Sequence, residues 1–143
     1  MLIEMHLARI LIREHTSAQL IELREVHPTH GEPRAFPIVI GIAEAIAIDR
    51  RLSGHEIGRP MTHDLLAHTI DALGAKLESI AITDIVEGTF YATLVMTDCH
   101  GERVEVDARP SDAIALGVAG DVPIYVADTV IENAIMPPLD EFE

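Results

Sequence analysis

Two stretches decide how this chain reads: Arg59-Pro60-Met61-Thr62-His63-Asp64-Leu65-Leu66 and Asp107-Ala108-Arg109-Pro110-Ser111-Asp112-Ala113-Ile114-Ala115-Leu116. Each sets Arg-Pro ahead of a hydroxyl residue and an aspartate, then enters an apolar helical run. Proline pre-sets the first helical φ, a hydroxyl can satisfy a free backbone N–H, and a carboxylate suits the positive end of the helix dipole. Both stretches therefore predict helix starts. Thr62 is the expected cap of a helix over 64–73, and Ser111 the expected cap of one over 111–119. If the two starts meet in the fold, they concentrate cationic, anionic and hydrogen-bonding groups in one place.

Working outward, Ser79 to Val86, Thr89 to Thr97 and Arg103 to Ala108 read as three strands. Glu87-Gly88 and Asp98-Cys99-His100-Gly101 supply their turns, which makes an antiparallel meander. Met1 to Ile12 alternates with period two and places Met1, Ile3, Met5, Leu7 and Leu11 on one face. Leu20 to Val26 is its hairpin partner. After a loop over His27 to Pro33 comes a short buried run, Phe36 to Ile40, then a helix over Ile42 to Leu52 closed by Ser53-Gly54. Leu66, Ile70 and Leu73 are the expected apolar stripe of the 64–73 helix, which Gly74 ends. Pro123 to Val126 reads as a strand and Asp128 to Ile135 as a last helix. This order predicts an α+β fold: a mixed, mainly antiparallel sheet with an N-terminal hairpin, a central meander and three to four short helices. One domain is expected over 1–136, with 137–143 as an acidic C-terminal tail.

Hydrophobic residues make up 48% of the 143, enough for one genuine core. Aromatics are 3% and Trp is absent, so that core is aliphatic. The net charge of −14 is uneven: residues 1–76 carry 8 Lys and Arg against 10 Asp and Glu, residues 77–143 only 2 against 14. Such a field repels nucleic acid at long range, so contact with a polyanion needs a local basic surface. Arg34, Arg50, Arg51 and Arg59 are its expected source. Cys99 is the single cysteine. Together with an N-terminus that lacks a basic region and the absence of a membrane-length apolar run, this predicts a cytoplasmic protein without a membrane span. The apolar N-terminal strand motivates a homo-oligomer, most simply a dimer.

The first stretch offers Arg59 as a phosphate or carboxylate anchor and His63 as a proton carrier near neutral pH. The same residues also serve fold-building alone: Thr62 caps, Asp64 complements the dipole, and His63 lines up with Ala67 and Ile70 as a half-buried packing residue. In the second stretch, alternation puts Arg103, Glu105, Asp107 and Arg109 on one face. Asp107 and Asp112 can share a divalent cation, or Asp107 can pair with an arginine while Ser111 caps. Glu44 falls on a helix face with Ala47, Ile48 and Arg51, where ion pairing or solvation is expected. The eight histidines form no zinc motif, and there is no phosphate-loop or nucleophile-elbow pattern.

Taken together, Pro37-Ile38-Val39-Ile40-Gly41, Glu44-Ala45, Arg59-Pro60 with Thr62 to Leu66, Phe90-Tyr91-Ala92, Asp107 to Leu116 and Pro123 to Val126 resemble, in order, the bifunctional nuclease domain family. The resemblance implies cleavage of DNA and RNA, an activity tied chiefly to plant members. Its motifs fall on Glu44, Arg59, Thr62, His63, Asp64, Asp107, Arg109, Ser111 and Asp112. One departure is Gly117-Val118-Ala119-Gly120, where a more helix-favouring and often basic stretch is expected in relatives. Two functions fit these residues. In the first, a nuclease of single-stranded DNA or RNA is assisted by Mg²⁺ or Mn²⁺ on Asp107 or Asp112, with Glu44 or Asp64 nearby, His63 moving protons, and Arg59 and Arg109 clamping phosphate beside Thr62 and Ser111. In the second, the same residues form the structural Arg–Asp core of a non-catalytic homo-oligomeric module.

Overall fold

The N-terminal hairpin joins β1 (Leu2–Leu11) to β2 (Gln19–Glu25), and β3 (Ala35–Ile40) adds antiparallel to β2. A second antiparallel meander runs through β4 (Lys76–Val86), β5 (Thr89–Thr97) and β6 (Arg103–Ala108). The short β7 (Ile124–Ala127) lies between them, antiparallel to β1 and parallel to β4. This computed structural model describes residues 1–13, 15, 16, 18–54 and 58–134, and in it the sheet order is β3-β2-β1-β7-β4-β5-β6. The fold is therefore α+β with a mixed, mostly antiparallel sheet. The expected acidic tail, 137–143, lies outside the described residues.

Among the described residues four α-helices complete the fold: α1 (Ile42–Ser53), α2 (Thr62–Ala72), α3 (Pro110–Gly117) and α4 (Asp128–Ala134). The sheet face carrying Met5, Ile21, Leu23, Phe36, Ile38, Ile80, Ile82, Leu94 and Val126 packs with Ala45, Ile48, Ala113, Ile114, Val130 and Ile131 into one core. α3 sits at its centre, buried over most of its length because, apart from Asp112, its residues are small or aliphatic. Gly117 ends α3 where a Cβ would meet Ile80 Cδ1 at 2.8 Å and Val122 Cβ at 3.1 Å. A short 3-10 turn, Val118–Gly120, follows, which gives a packing reason for the small residues there. No described helix is long and apolar enough to cross a membrane.

Three local expectations change. In β1 the pairing passes from Leu7↔Leu23 to Arg9↔Glu22, so Ala8 is an extra residue that inverts the alternation. Ile10, not Leu11, then packs on the core. β1 is also an interior strand rather than a free one, since the sheet edges are β3 and β6. On α2 the inward stripe is His63, Ala67 and Ile70, while Leu66 and Leu73 are 39% and 70% exposed.

Candidate functional site

Three segments distant in sequence meet at one end of the helical layer. The first is the turn from β3 into α1, where Gly41 precedes the helix and Glu44 occupies the first helical turn. Glu44 folds back over Gly41 so closely that a Cβ at position 41 would lie 2.5 Å from Glu44 Oε2. The second is the β4–β5 turn, where Glu87 and Gly88 take φ values of 51° and 81°. Gly88 meets that demand without a Cβ penalty. Phe90 follows, stacked on Phe36 with ring centroids 5.7 Å apart. The third is the start of α3, where Arg109 is the N-cap and Pro110 the first helical residue. Together they line a cleft of roughly 320 Å³ whose wall includes Ile38, Ile40, Gly41, Glu44, Gly88, Phe90, Arg109 and Ser111.

Arg109 organises the mouth of this cleft. Its Nε donates to Asp112 Oδ2 at 2.8 Å and its Nη1 to Glu44 Oε1 at 3.2 Å. Asp112 Oδ1 in turn lies 3.0 Å from His63 Nε2. The chain Glu44–Arg109–Asp112–His63 thus ties α1, α3 and α2. It opens toward solvent at the arginine, whose side chain is 63% exposed, and closes toward His63, at 15%. Burial pushes the Asp112 carboxyl up, but hydrogen bonds from Arg109 and His63 outweigh it and hold the group below its usual value. The hydrogen bond to Asp112, with further help from Glu44, raises the Arg109 guanidinium.

A second network lies deeper. Asp64 accepts from Arg50 Nη2 at 2.8 Å, from Arg51 Nη1, and from the Met61 backbone N–H at 2.9 Å. Burial again pushes this carboxyl up, and the three donors together bring it below its ordinary value. Arg51 also donates to the carbonyls of Ala115 and Leu116 at 2.6 and 3.0 Å, near the C-terminal end of α3. Arg50 and Arg51, expected as a basic surface, are instead turned inward to stitch α1, α2 and α3. An arginine in the last turn of one helix and an aspartate in the first turn of the next were the available signal for this pairing.

The remaining candidates fall elsewhere. Thr62 is the first residue of α2 and is exposed; Met61 is the cap, and Asp64 receives its N–H. Ser111 is the second residue of α3 rather than its cap, and it is 6% exposed at the cleft wall. Arg59 is exposed and pairs with no carboxylate among the described residues. Asp107 sits opposite Thr93, one residue out of phase with the core pair Ala92↔Ala108, so it projects from the helix-free face of the sheet. The structure therefore brings together Glu44, Arg109, Ser111, Asp112 and His63, places Asp64 in the adjoining network, and leaves Asp107 on the other side. Among the described residues no three His, Cys, Asp or Glu side chains are grouped to hold a metal ion.

Comparison with known proteins covers the same segments. The family described as the bifunctional nuclease domain matches residues 26–138. An uncharacterized protein of Mycobacterium tuberculosis is 39% identical over 131 residues, which span 92% of this chain and 75% of that protein. Bifunctional nuclease 2 of Oryza sativa subsp. japonica is 28% identical over 98 residues, 67% of this chain but 30% of the plant protein. Bifunctional nuclease 1 of Arabidopsis thaliana is 26% identical over 98 residues, with the same two shares.

Proposed function

This chain belongs to the bifunctional nuclease domain family, and from that premise we propose that it hydrolyses phosphodiester bonds of single-stranded DNA or RNA at the cleft between the starts of α1 and α3. The observation that carries this reading is the meeting of Gly41 and Glu44, Gly88 to Phe90, and Arg109 to Ser111 around one open cleft. Arg109 is the phosphate anchor, because its guanidinium is mostly solvent-facing and offers a planar set of donors. The first N–H groups of α3 have no helical partner and add neutral donors beside it. Glu44 is the base: substrate phosphate replaces it on Arg109 and frees its carboxylate to take a proton from the attacking water. The water oxygen bonds to phosphorus as the bond from phosphorus to the departing sugar oxygen breaks, and that oxygen takes a proton from solvent in the open cleft. His63 holds Asp112, and through it Arg109, in position.

The carboxylates do not fit a shared divalent site. Asp107 projects from the far face, Asp64 is neutralised by two arginines, and Glu44 and Asp112 both hold Arg109. Each step above belongs to this chain's own side chains, and Mg²⁺ or Mn²⁺ enters as a variable of the assay.

The test is cleavage of labelled single-stranded DNA and RNA by wild type, Glu44→Gln and Arg109→Ala, with Mg²⁺, with Mn²⁺ and with EDTA. Loss of cleavage in both folded variants supports the site. Equal cleavage by all three proteins removes it and favours the second reading, a non-catalytic assembly module. That reading draws on the deep Arg50–Asp64–Arg51 network, in which every charged group already has a partner.

A further inference from the structure

The two edges of the sheet are built differently. β3 carries Pro37 in its middle, which has no N–H to offer and blunts that edge against further pairing. β6 has no proline and pairs with β5 without a bulge from Thr97↔Arg103 to Ala92↔Ala108. Its residues Arg103 to Asp107 are all exposed, including Val104 at 37% and Val106 at 41%. Those two valines stand on the core side of the sheet, in register with Met96 and Leu94, yet remain open to solvent.

The hydrogen-bond phase of β6 follows from its turn. Asp98 N–H donates to Glu102 O at 2.8 Å, so the ladder bonds to β5 continue at Val104, Val106 and Ala108. The backbone N–H and C=O groups of Arg103, Glu105 and Asp107 therefore point outward along the edge.

We propose that β6 is a dimerisation edge whose occupant is the β6 strand of a second copy of this chain, antiparallel about a two-fold axis through Glu105. This register uses every outward backbone group of the three residues. It sets Arg103 opposite the partner's Asp107, and Asp107 opposite the partner's Arg103, on the helix-free face. On the other face it sets Val104 against the partner's Val106, twice over. The strand is self-complementary in both charge and apolar pattern, as an isologous contact requires. Glu105 meets the partner's Glu105 at the axis, a like-charge contact flanked by Arg103, which lies 2.7 Å from Glu105 within its own strand. The result is a continuous fourteen-stranded sheet, twice the seven of one copy, and it assigns Asp107 an interface role rather than one in the cleft.

Charge reversal tests the register. The full chain is measured by sedimentation velocity over a hundredfold concentration range. Wild type is expected to dimerise. Arg103→Asp and Asp107→Arg, each placing like charges opposite one another, are expected to weaken the dimer at least tenfold, and the double variant Arg103→Asp/Asp107→Arg to restore it. Glu105→Gln is expected to tighten it. Circular dichroism confirms the fold of each protein. Independently, Glu105→Cys in a Cys99→Ser background is expected to form a disulfide-linked dimer on mild oxidation. Directly opposed, hydrogen-bonded strand residues have Cα atoms about 5.5 Å apart, within disulfide reach. A wild type that stays monomeric, single reversals that leave the dimer intact, or a double variant that fails to recover would each overturn the proposal.

Discussion

His63 Nε2 lies 3.0 Å from Asp112 Oδ1, and this contact fastens a helix that has no buried residue of its own. α2 is therefore held largely by polar bonds from two successive residues, His63 to Asp112 on α3 and Asp64 to Arg50 and Arg51 on α1. Substituting His63→Ala should loosen α2 more than the rest of the molecule. A hydrogen bond to a charged partner contributes about 1.5–3 kcal/mol. Hydrogen exchange over Thr62–Ala72 should accelerate while exchange in β4 and β5 stays near wild type; uniform acceleration would mean that the bond serves global stability instead.

Asp64→Ala should be the most damaging of the charged-residue substitutions. It leaves Arg50 and Arg51, at 14% and 9% side-chain exposure, without their carboxylate. Removing one partner from a nearly buried pair costs about 3 kcal/mol. The urea midpoint measures this, and a shift under a quarter of that size would show the network to be solvent-screened.

Acid should destabilise the fold in a defined window. The carboxyls of Glu25, Asp64 and Asp112 are all held below their ordinary values, 4.5 for the glutamate and 3.8 for the aspartates. For Glu25 the leading cause is the hydrogen-bonded Arg34. A depressed carboxyl adds stability that is present above its unfolded value and disappears as pH falls through its folded value. Stability should therefore be flat with respect to these groups near neutrality and fall progressively below about pH 4.5. Urea midpoints between pH 7 and pH 3 follow it, and Glu25→Gln should flatten the upper part of the fall.

Arg109→Ala should separate stability from activity. Its ion pairs are solvent-exposed, and such pairs contribute only about 0–1 kcal/mol. If Arg109 anchors phosphate, the same change should lower cleavage by about 100-fold, the scale of losing one transition-state donor. Activity and the denaturation midpoint need to be measured on the same preparation. A large loss of stability would point to a structural arginine.

Gly41→Ala probes Glu44 without touching it. The backbone at Gly41 has φ of −79°, open to any residue, so the penalty is steric. The new methyl would displace the Glu44 carboxylate. Cleavage should fall toward that of Glu44→Gln with little change in thermal midpoint; unchanged cleavage would show that the position of this carboxylate is immaterial.

The meander was readable because strict alternation and the Glu87-Gly88 and Asp98 to Gly101 turns are local signals: β5 and β6 begin and end where those signals put them. The start of α3 was legible from Arg109-Pro110, although the cap is the arginine position rather than Ser111. What escaped was set by tertiary partners. The inward face of α2 follows His63 because Asp112 waits across the interface, and no pattern within α2 outweighs Leu66 and Leu73. Ala8 reads as one more residue of a regular strand until its partner is known. Asp107 and Asp112, close in sequence, are separated by a strand end, which alternation alone converts into opposite sides of the sheet.

The four residues of β7 carry a further consequence for how the chain is made. Residues 2–40 and 76–108 can each form a meander from local contacts, but among the described residues the only strand joining the two in the sheet is Ile124–Ala127. Met1 O also waits for the N–H of Asp128, 3.0 Å away in the finished molecule. During synthesis the two meanders therefore stay unpaired in the sheet until β7 has left the ribosome, with the facing edges of β1 and β4 exposed for that interval. Closing a loop of such length is slow, and uncapped strand edges are where chains mispair. The vulnerable period of this protein's life lies just before β7 emerges.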